Sequence, residues 1–159
     1  MDATGREQIL GTWKLASVDF VSDEASGSKK IAQPLGPTPL GRIAFNPGGF
    51  MMCMLTHPDH AKPIVTPWRT AADEDVAFVA RAMTTYCGPY KVFSENGETM
   101  LSTDVEIALD PSWIGTAQVR HVSFRKDAGK DIMVLRPVQY MALPVSFIAH
   151  KKNVIEPNN

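Results

Sequence analysis

The stretch Ile9-Leu10-Gly11-Thr12-Trp13-Lys14-Leu15 opens the first strand-like segment of the chain and governs how the rest is read. A glycine two residues ahead of a tryptophan on an opening strand suits a closed β-barrel. The large indole can plug one end of the cylinder, and Gly11 lets the chain pass tightly beside it. The opening strand is expected over residues 9–20.

After this strand, a polar stretch at 22–30 and the proline- and glycine-rich run at 34–41 have the chemistry of loops. Arg42-Ile43-Ala44-Phe45 reads as a strand, Asn46-Pro47-Gly48-Gly49 as its turn, and residues 50–56 as the return strand of a hairpin. Pro58, Pro63 and Pro67 prevent a ladder in the next stretch, which is expected to be a surface excursion and a lid. Thr70-Ala71-Ala72-Asp73 has capping-box spacing, and Val76, Val79, Ala80 and Met83 share one helical stripe, so a helix of about three turns follows. Asp73, Glu74 and Asp75 fall at its favourable dipole end. Further strands are expected at 86–93, 99–109, 116–125, 130–136 and 145–151, with turns at 95–97, around Pro111 and at 127–129, and a frayed tail at 156–159. Sequential hairpin-linked strands with one short side helix make an up-and-down antiparallel β-barrel, a single domain over residues 1–159.

Composition narrows the function. At 159 residues the chain can bury one core without staples. Its net charge of −1 supplies no field for nucleic acid or an anionic membrane, so neither is expected as a partner. No run is long and apolar enough to span a bilayer, and residues 1–7 lack the basic-then-apolar pattern of a secretion signal, so a cytoplasmic protein is expected. Cys53 and Cys87 have no metal-recruiting spacing and are expected as reduced thiols, with a bridge between them left open.

Four segments together resemble the lipocalin-like domain family of small intracellular proteins: Leu10-Gly11-Thr12-Trp13, residues 40–51, Tyr86-Cys87-Gly88-Pro89-Tyr90, and the stretch from Val105-Glu106 through Asp110-Pro111-Ser112-Trp113-Ile114-Gly115 to Val119-Arg120. The resemblance covers roughly residues 9–136 and implies a calycin-type barrel. It implies a fold far better than a reaction: some members lie beside biosynthetic genes and many have no assigned activity. Where a histidine pair usually precedes the Val-Glu step, this chain has Thr103 and Asp104.

Candidate chemistry centres on the ribbon around Pro111. If its loop makes a simple hairpin, Glu106 lies opposite Arg120 and Val105 opposite His121. One face then carries Asp104, Glu106, Gln118 and Arg120, and the other Thr103, Val105, Ile107, Val119, His121 and Ser123. Binary pattern favours the apolar face inward, with Glu106 and Arg120 as an exposed ion pair and His121 in the cavity wall. The opposite arrangement makes Asp104 or Glu106 a general acid or base beside an Arg120 that holds an enolate or carbonyl oxygen. Either way Glu106, Arg120, His121 and Asp104 are the catalytic candidates.

Candidate substrate-binding residues are Tyr86 and Tyr90, with Gly88 leaving space beside their rings, Trp68 on the excursion, His57 as a proton shuttle at the mouth, and Met52 and Met54 as soft wall. Trp68 as a loop anchor, the tyrosines as barrel filler and the methionines as ordinary core are the plain alternatives. His57 and His60 flank Pro58 without an evident third ligand, so no metal is expected. Phosphate-loop, Ser-His-Asp and dinucleotide patterns are absent, and no cofactor is expected. The expected function is a cofactor-independent isomerase, cyclase or lyase of natural-product type acting on a hydrophobic, partly oxygenated small molecule inside the barrel. The alternatives are a carrier with the same cavity and a barrel serving mainly as an interaction surface. Apolar residues on both faces of the strand at 50–55 allow a homodimer.

Overall fold

The opening strand, β1 (Gly11–Val21), starts where Gly11 takes φ 105°, a backbone turn that a side chain resists. That turn joins β1 to a short helix, α1 (Ala3–Ile9). The structure, a computed structural model, describes residues 3–21, 30–138 and 145–151. Of the loop expected at 22–30, residues 22–29 lie outside the described residues, as does the tail at 156–159, and Lys30 begins a strand.

After β2 (Lys30–Ala32) come the hairpin strands β3 (Leu40–Phe45) and β4 (Phe50–Thr56). The proline-broken excursion and helix α2 (Asp73–Ala82) lead to β5 (Thr84–Glu95). The chain continues through β6 (Glu98–Asp104), β7 (Ile107–Ala108), β8 (Ala117–Asp127), β9 (Lys130–Pro137) and β10 (Val145–Lys151). Eight of these strands close a ring in the order β1-β3-β4-β5-β6-β8-β9-β10, and β10 returns to pair antiparallel with β1. The expected closed antiparallel barrel is therefore the fold. β2 extends one end of β1, and β7 pairs back onto β5.

Inward and outward side chains alternate as the pleat requires. On β5, Tyr86, Gly88, Tyr90 and Val92 are buried; on β4, Met51 and Cys53 are buried while Met52 and Met54 are exposed. Trp13 seals one end: its Nε1–H donates to the Ile9 carbonyl at 2.7 Å and its ring packs on Phe124 at 6.1 Å. Helix α1 was not anticipated. It lies across that sealed end through the fully buried Ile9, and Arg6 Nη2 donates to the Pro47 carbonyl at 2.9 Å. Seven residues carry too little periodicity to announce a helix, and tertiary contact is what holds it.

Helix α2 forms where expected but is capped differently. Its N-cap is Ala72 without a side-chain bond, and the Thr70 hydroxyl instead donates to the Pro67 carbonyl at 3.2 Å within a preceding turn. Asp73, Glu74 and Asp75 do occupy its first turn, and none of its residues is fully buried.

The close approach of β5 and the end of β6 is set by Gly88. A Cβ there would collide with the Asp104 carbonyl oxygen, because the three residues Asp104-Val105-Glu106 bulge past Gly88 and Pro89. The space expected beside Tyr86 and Tyr90 is thus filled by backbone.

Candidate functional site

The end of the barrel opposite Trp13 is hollow. A cavity of about 190 Å³ lies among Leu15 and Val18 from β1, Leu55 from β4, Leu135 from β9 and Ala149 from β10, and Phe20, Leu35 and Trp113 also line it. Into this apolar wall β8 projects Arg120, which is only 8% exposed. One partner of the guanidinium is the Tyr86 hydroxyl, a long contact at 3.5 Å from Nη2. Cys53, directly across from Tyr86 on β4, and Thr84 add further polar groups, and the Trp113 ring stands edge-on to Tyr86 at 5.4 Å.

Electrostatics make these groups donors. Burial pushes the Tyr86 phenol up to about 12, with Arg120's charge pulling the other way. Burial likewise pushes the Cys53 thiol up to about 11, opposed by hydrogen bonding from Tyr86 and by Arg120. Both therefore keep their protons at neutral pH.

A measurable consequence concerns the two thiols. Cys53 points into the barrel and is buried, whereas Cys87 is opposite Met52 on the outer face and half-buried; the pair cannot bridge. With a thiol reagent at pH 8, one thiol is expected to react quickly and the second at least about a hundredfold more slowly, since a pKa near 11 leaves only about a thousandth as thiolate. The slow rate should rise tenfold per pH unit until the barrel opens. Two equally fast thiols in the folded protein would contradict the placement of Cys53.

The structure separates the ribbon residues that the sequence grouped together. Arg120 pairs with Leu101, five positions before Glu106, and Asp104 pairs with Ala117. The simple hairpin fails because β6 stops at Asp104. Val105 then exchanges hydrogen bonds with Thr116 and Gly115, and the chain detours through β7 and the turn at Pro111–Trp113. An odd shift in register reverses which residues share a face. Arg120 consequently faces inward with Leu101, Thr103 and Val122, while Asp104 and Glu106 are exposed outside. Asp104 sits 3.7 Å from Lys91 Nζ, too solvated for the ion pair to matter much. His121 is also outside, its Nδ1 against Glu98 Oε2 but off the hydrogen-bond direction.

Of the binding candidates, Tyr86 lines the cavity. Tyr90 lies at the sealed end, its hydroxyl donating to the Asn46 carbonyl at 3.0 Å and its ring edge-on to Phe45 at 5.1 Å. Met52 and Met54 are on the barrel's outer surface, 58% and 54% exposed, because in an all-apolar strand only register decides the inner face. Trp68 is half-exposed on the excursion and does not border the cavity. His57 is tucked against Gly36, and its Nδ1 accepts from the Asp59 amide at 3.1 Å. His60 Nδ1 instead meets the Phe78 carbonyl at 2.8 Å, and its ring stacks on Phe78. Sequence reading passed over Cys53 and Trp113 as lining residues. The Asp110-Pro111-Ser112-Trp113 turn was the signal for Trp113, and Cys53 had only its alternation with the methionines.

The family profile for lipocalin-like domains matches residues 10–144. The chain belongs to the lipocalin-like domain family. The match spans Trp13, the Gly88 crossing and the β6–β8 detour and ends just before β10. No curated protein matches this lipocalin-like chain. Among the described residues no helix is long and apolar enough to cross a membrane.

Proposed function

We propose that this lipocalin-like barrel binds a compact hydrophobic molecule and receives an oxygen of that molecule on Arg120 and Tyr86. The observation that carries the reading is Arg120 itself, a charged group almost fully buried at the wall of an apolar void. Burying a guanidinium is costly, and a few polar groups set in an apolar pocket are how small-molecule sites fix orientation. The volume sets the scale. A void of roughly 150 Å³ accepts a benzene ring, so about 190 Å³ suits one ring with substituents or a small fused system.

A second reading, cofactor-free isomerisation, cyclisation or lyase chemistry of the natural-product kind, is favoured by the same donor pair. Arg120 and Tyr86 could stabilise an enolate oxygen while the apolar wall holds a flexible substrate in a reactive shape. With Asp104, Glu106 and His121 outside, such chemistry relies on polarising the substrate and on protons the substrate itself carries. Two cysteines on opposite faces that stay reduced fit a cytoplasmic setting, and the exposed Met52–Met54 face fits a homodimer.

Native mass spectrometry of the freshly purified protein is expected to show a bound small molecule, and calorimetry with naphthol to show one site per chain. Leu55→Trp, which places an indole in the void, should weaken naphthol binding at least about tenfold while leaving the far-ultraviolet spectrum unchanged. A protein that carries nothing and gives no heat with naphthol would end the binding reading.

A further inference from the structure

The outer surface of the barrel is apolar on one side. Leu40, Met52, Met54, Ile107 and Leu109, each 41–67% exposed, share the outward face of β3, β4, β5 and β7. Register makes them one patch. Thr12, Ala44, Met52, Cys87 and Ile107 stand in a single row across β1, β3, β4, β5 and β7, and Lys14, Arg42, Met54 and Thr85 form the row beside it. The outward positions on β8 carry His121, Ser123 and Arg125 instead. The two flanks of the patch differ in sign: Lys14 and Arg42 are exposed on the β1–β3 side, Glu106 and Asp110 on the β7 side. Lys14, Arg42 and Glu106 form no ion pair among the described residues, whereas the neighbouring Asp104 sits beside Lys91.

An exposed apolar patch rimmed by polar residues marks a contact surface, and here the pattern of charge selects the partner. A lipid surface or a nucleic acid is met by flanks of one sign. Flanks of opposite sign suit the same face turned onto itself. A half-turn about an axis between β4 and β5, parallel to both, lays Met52 against the partner's Cys87 and brings the cationic flank of each copy over the anionic flank of the other. The net charge of −1 sets little repulsion against that approach, and flexible methionines can fill the gap between two convex barrel walls. Resting on the homodimer reading above, we infer that this face is the interface of an isologous dimer, with Lys14 and Arg42 of each protomer against Glu106 and Asp110 of the other. Four strands and about three outward rows cover on the order of 400 Å², and the charged flanks bring this near the roughly 600 Å² a side of the smallest stable interfaces. A dimer that dissociates in the tens of micromolar is therefore expected.

The test is sedimentation velocity of the full chain from about 1 to about 300 µM. Met52→Lys sets an ammonium at the centre of the face and should weaken association at least about tenfold. Arg42→Glu and Glu106→Arg should each weaken it about three- to tenfold, and the two together should return it to within about threefold of the parent, because the reversed charges meet again. All three side chains are exposed, so the far-ultraviolet spectrum should stay that of the parent. Cys87 gives a readout without a variant: its fast reaction with a thiol reagent in dilute protein should slow as the dimer fills. A dimer that survives Met52→Lys, charge reversals whose losses add, or a Cys87 rate independent of concentration in a dimerising protein would each overturn the inference and leave the homodimer reading standing. A chain still monomeric at about 300 µM would remove both, and flotation of that monomer with phosphatidylcholine vesicles would assign the face to a lipid surface.

Discussion

Gly88→Ala is expected to destabilise the protein by more than about 4 kcal/mol, enough to leave little folded barrel at room temperature. The cost is steric. A Cβ at this position collides with the carbonyl oxygen of Asp104, and a backbone atom held by strand pairing cannot swing away as a long side chain can. Relieving the clash means separating β5 from the bulge at Asp104-Val105-Glu106. That would break the bond from the Glu106 amide to the Cys87 carbonyl at 2.9 Å and displace Tyr86 on the same strand. Urea denaturation of the variant beside Gly48→Ala measures this. At Gly48 the nearest atom is the Asn46 side-chain oxygen at 3.2 Å, and a loss of about 1 kcal/mol or less is expected. Similar stability for the two variants would mean that the chains do not cross so closely.

Trp13→Ala carries the second largest expected effect, a loss of about 3–5 kcal/mol. The indole is 1% exposed, and its removal would leave a void at the sealed end and take the donor from the Ile9 carbonyl. Helix α1 depends on that contact, so its amides should exchange with solvent sooner than those of the barrel strands. Trp13→Phe separates the terms. It keeps most of the packing against Phe124 but loses the hydrogen bond, and about 1–2 kcal/mol is expected. If Trp13→Ala unfolds within about 1 kcal/mol of the parent, the indole is not what closes the cylinder.

Local signals account for the parts of the fold that could be read in advance. The hairpin of β3 and β4 is announced by Asn46-Pro47-Gly48-Gly49, and the two-residue turn at Asn96-Gly97 by residues that accept positive φ, 52° and 81° here. Gly88 in Tyr86-Cys87-Gly88-Pro89-Tyr90 reads as space left beside the two rings, but the Asp104 backbone fills that space. The candidate site was less legible. Of four catalytic candidates Arg120 alone faces the cavity, and of six binding candidates Tyr86 alone lines it. Met51 to Leu55 is apolar on both faces, so alternation could not orient the strand, and Met52 and Met54 face solvent.

Most of the strands and the turns at 46–49 and 96–97 were determined by the sequence alone, because each depends on residues within a few positions of one another, whereas β2 was not announced and the strand expected over 99–109 stops at Asp104. Which way Arg120 points, and what surrounds it, was decided only by the tertiary structure. The detour between Asp104 and Ala117 changes the β6–β8 register by an odd number of residues, and in a pleated sheet such a change moves a side chain from one face of the wall to the other. Closure of the ring through β10 then brings Leu135 and Ala149 round to the same void as Leu15 and Val18, a neighbourhood with no trace in local spacing.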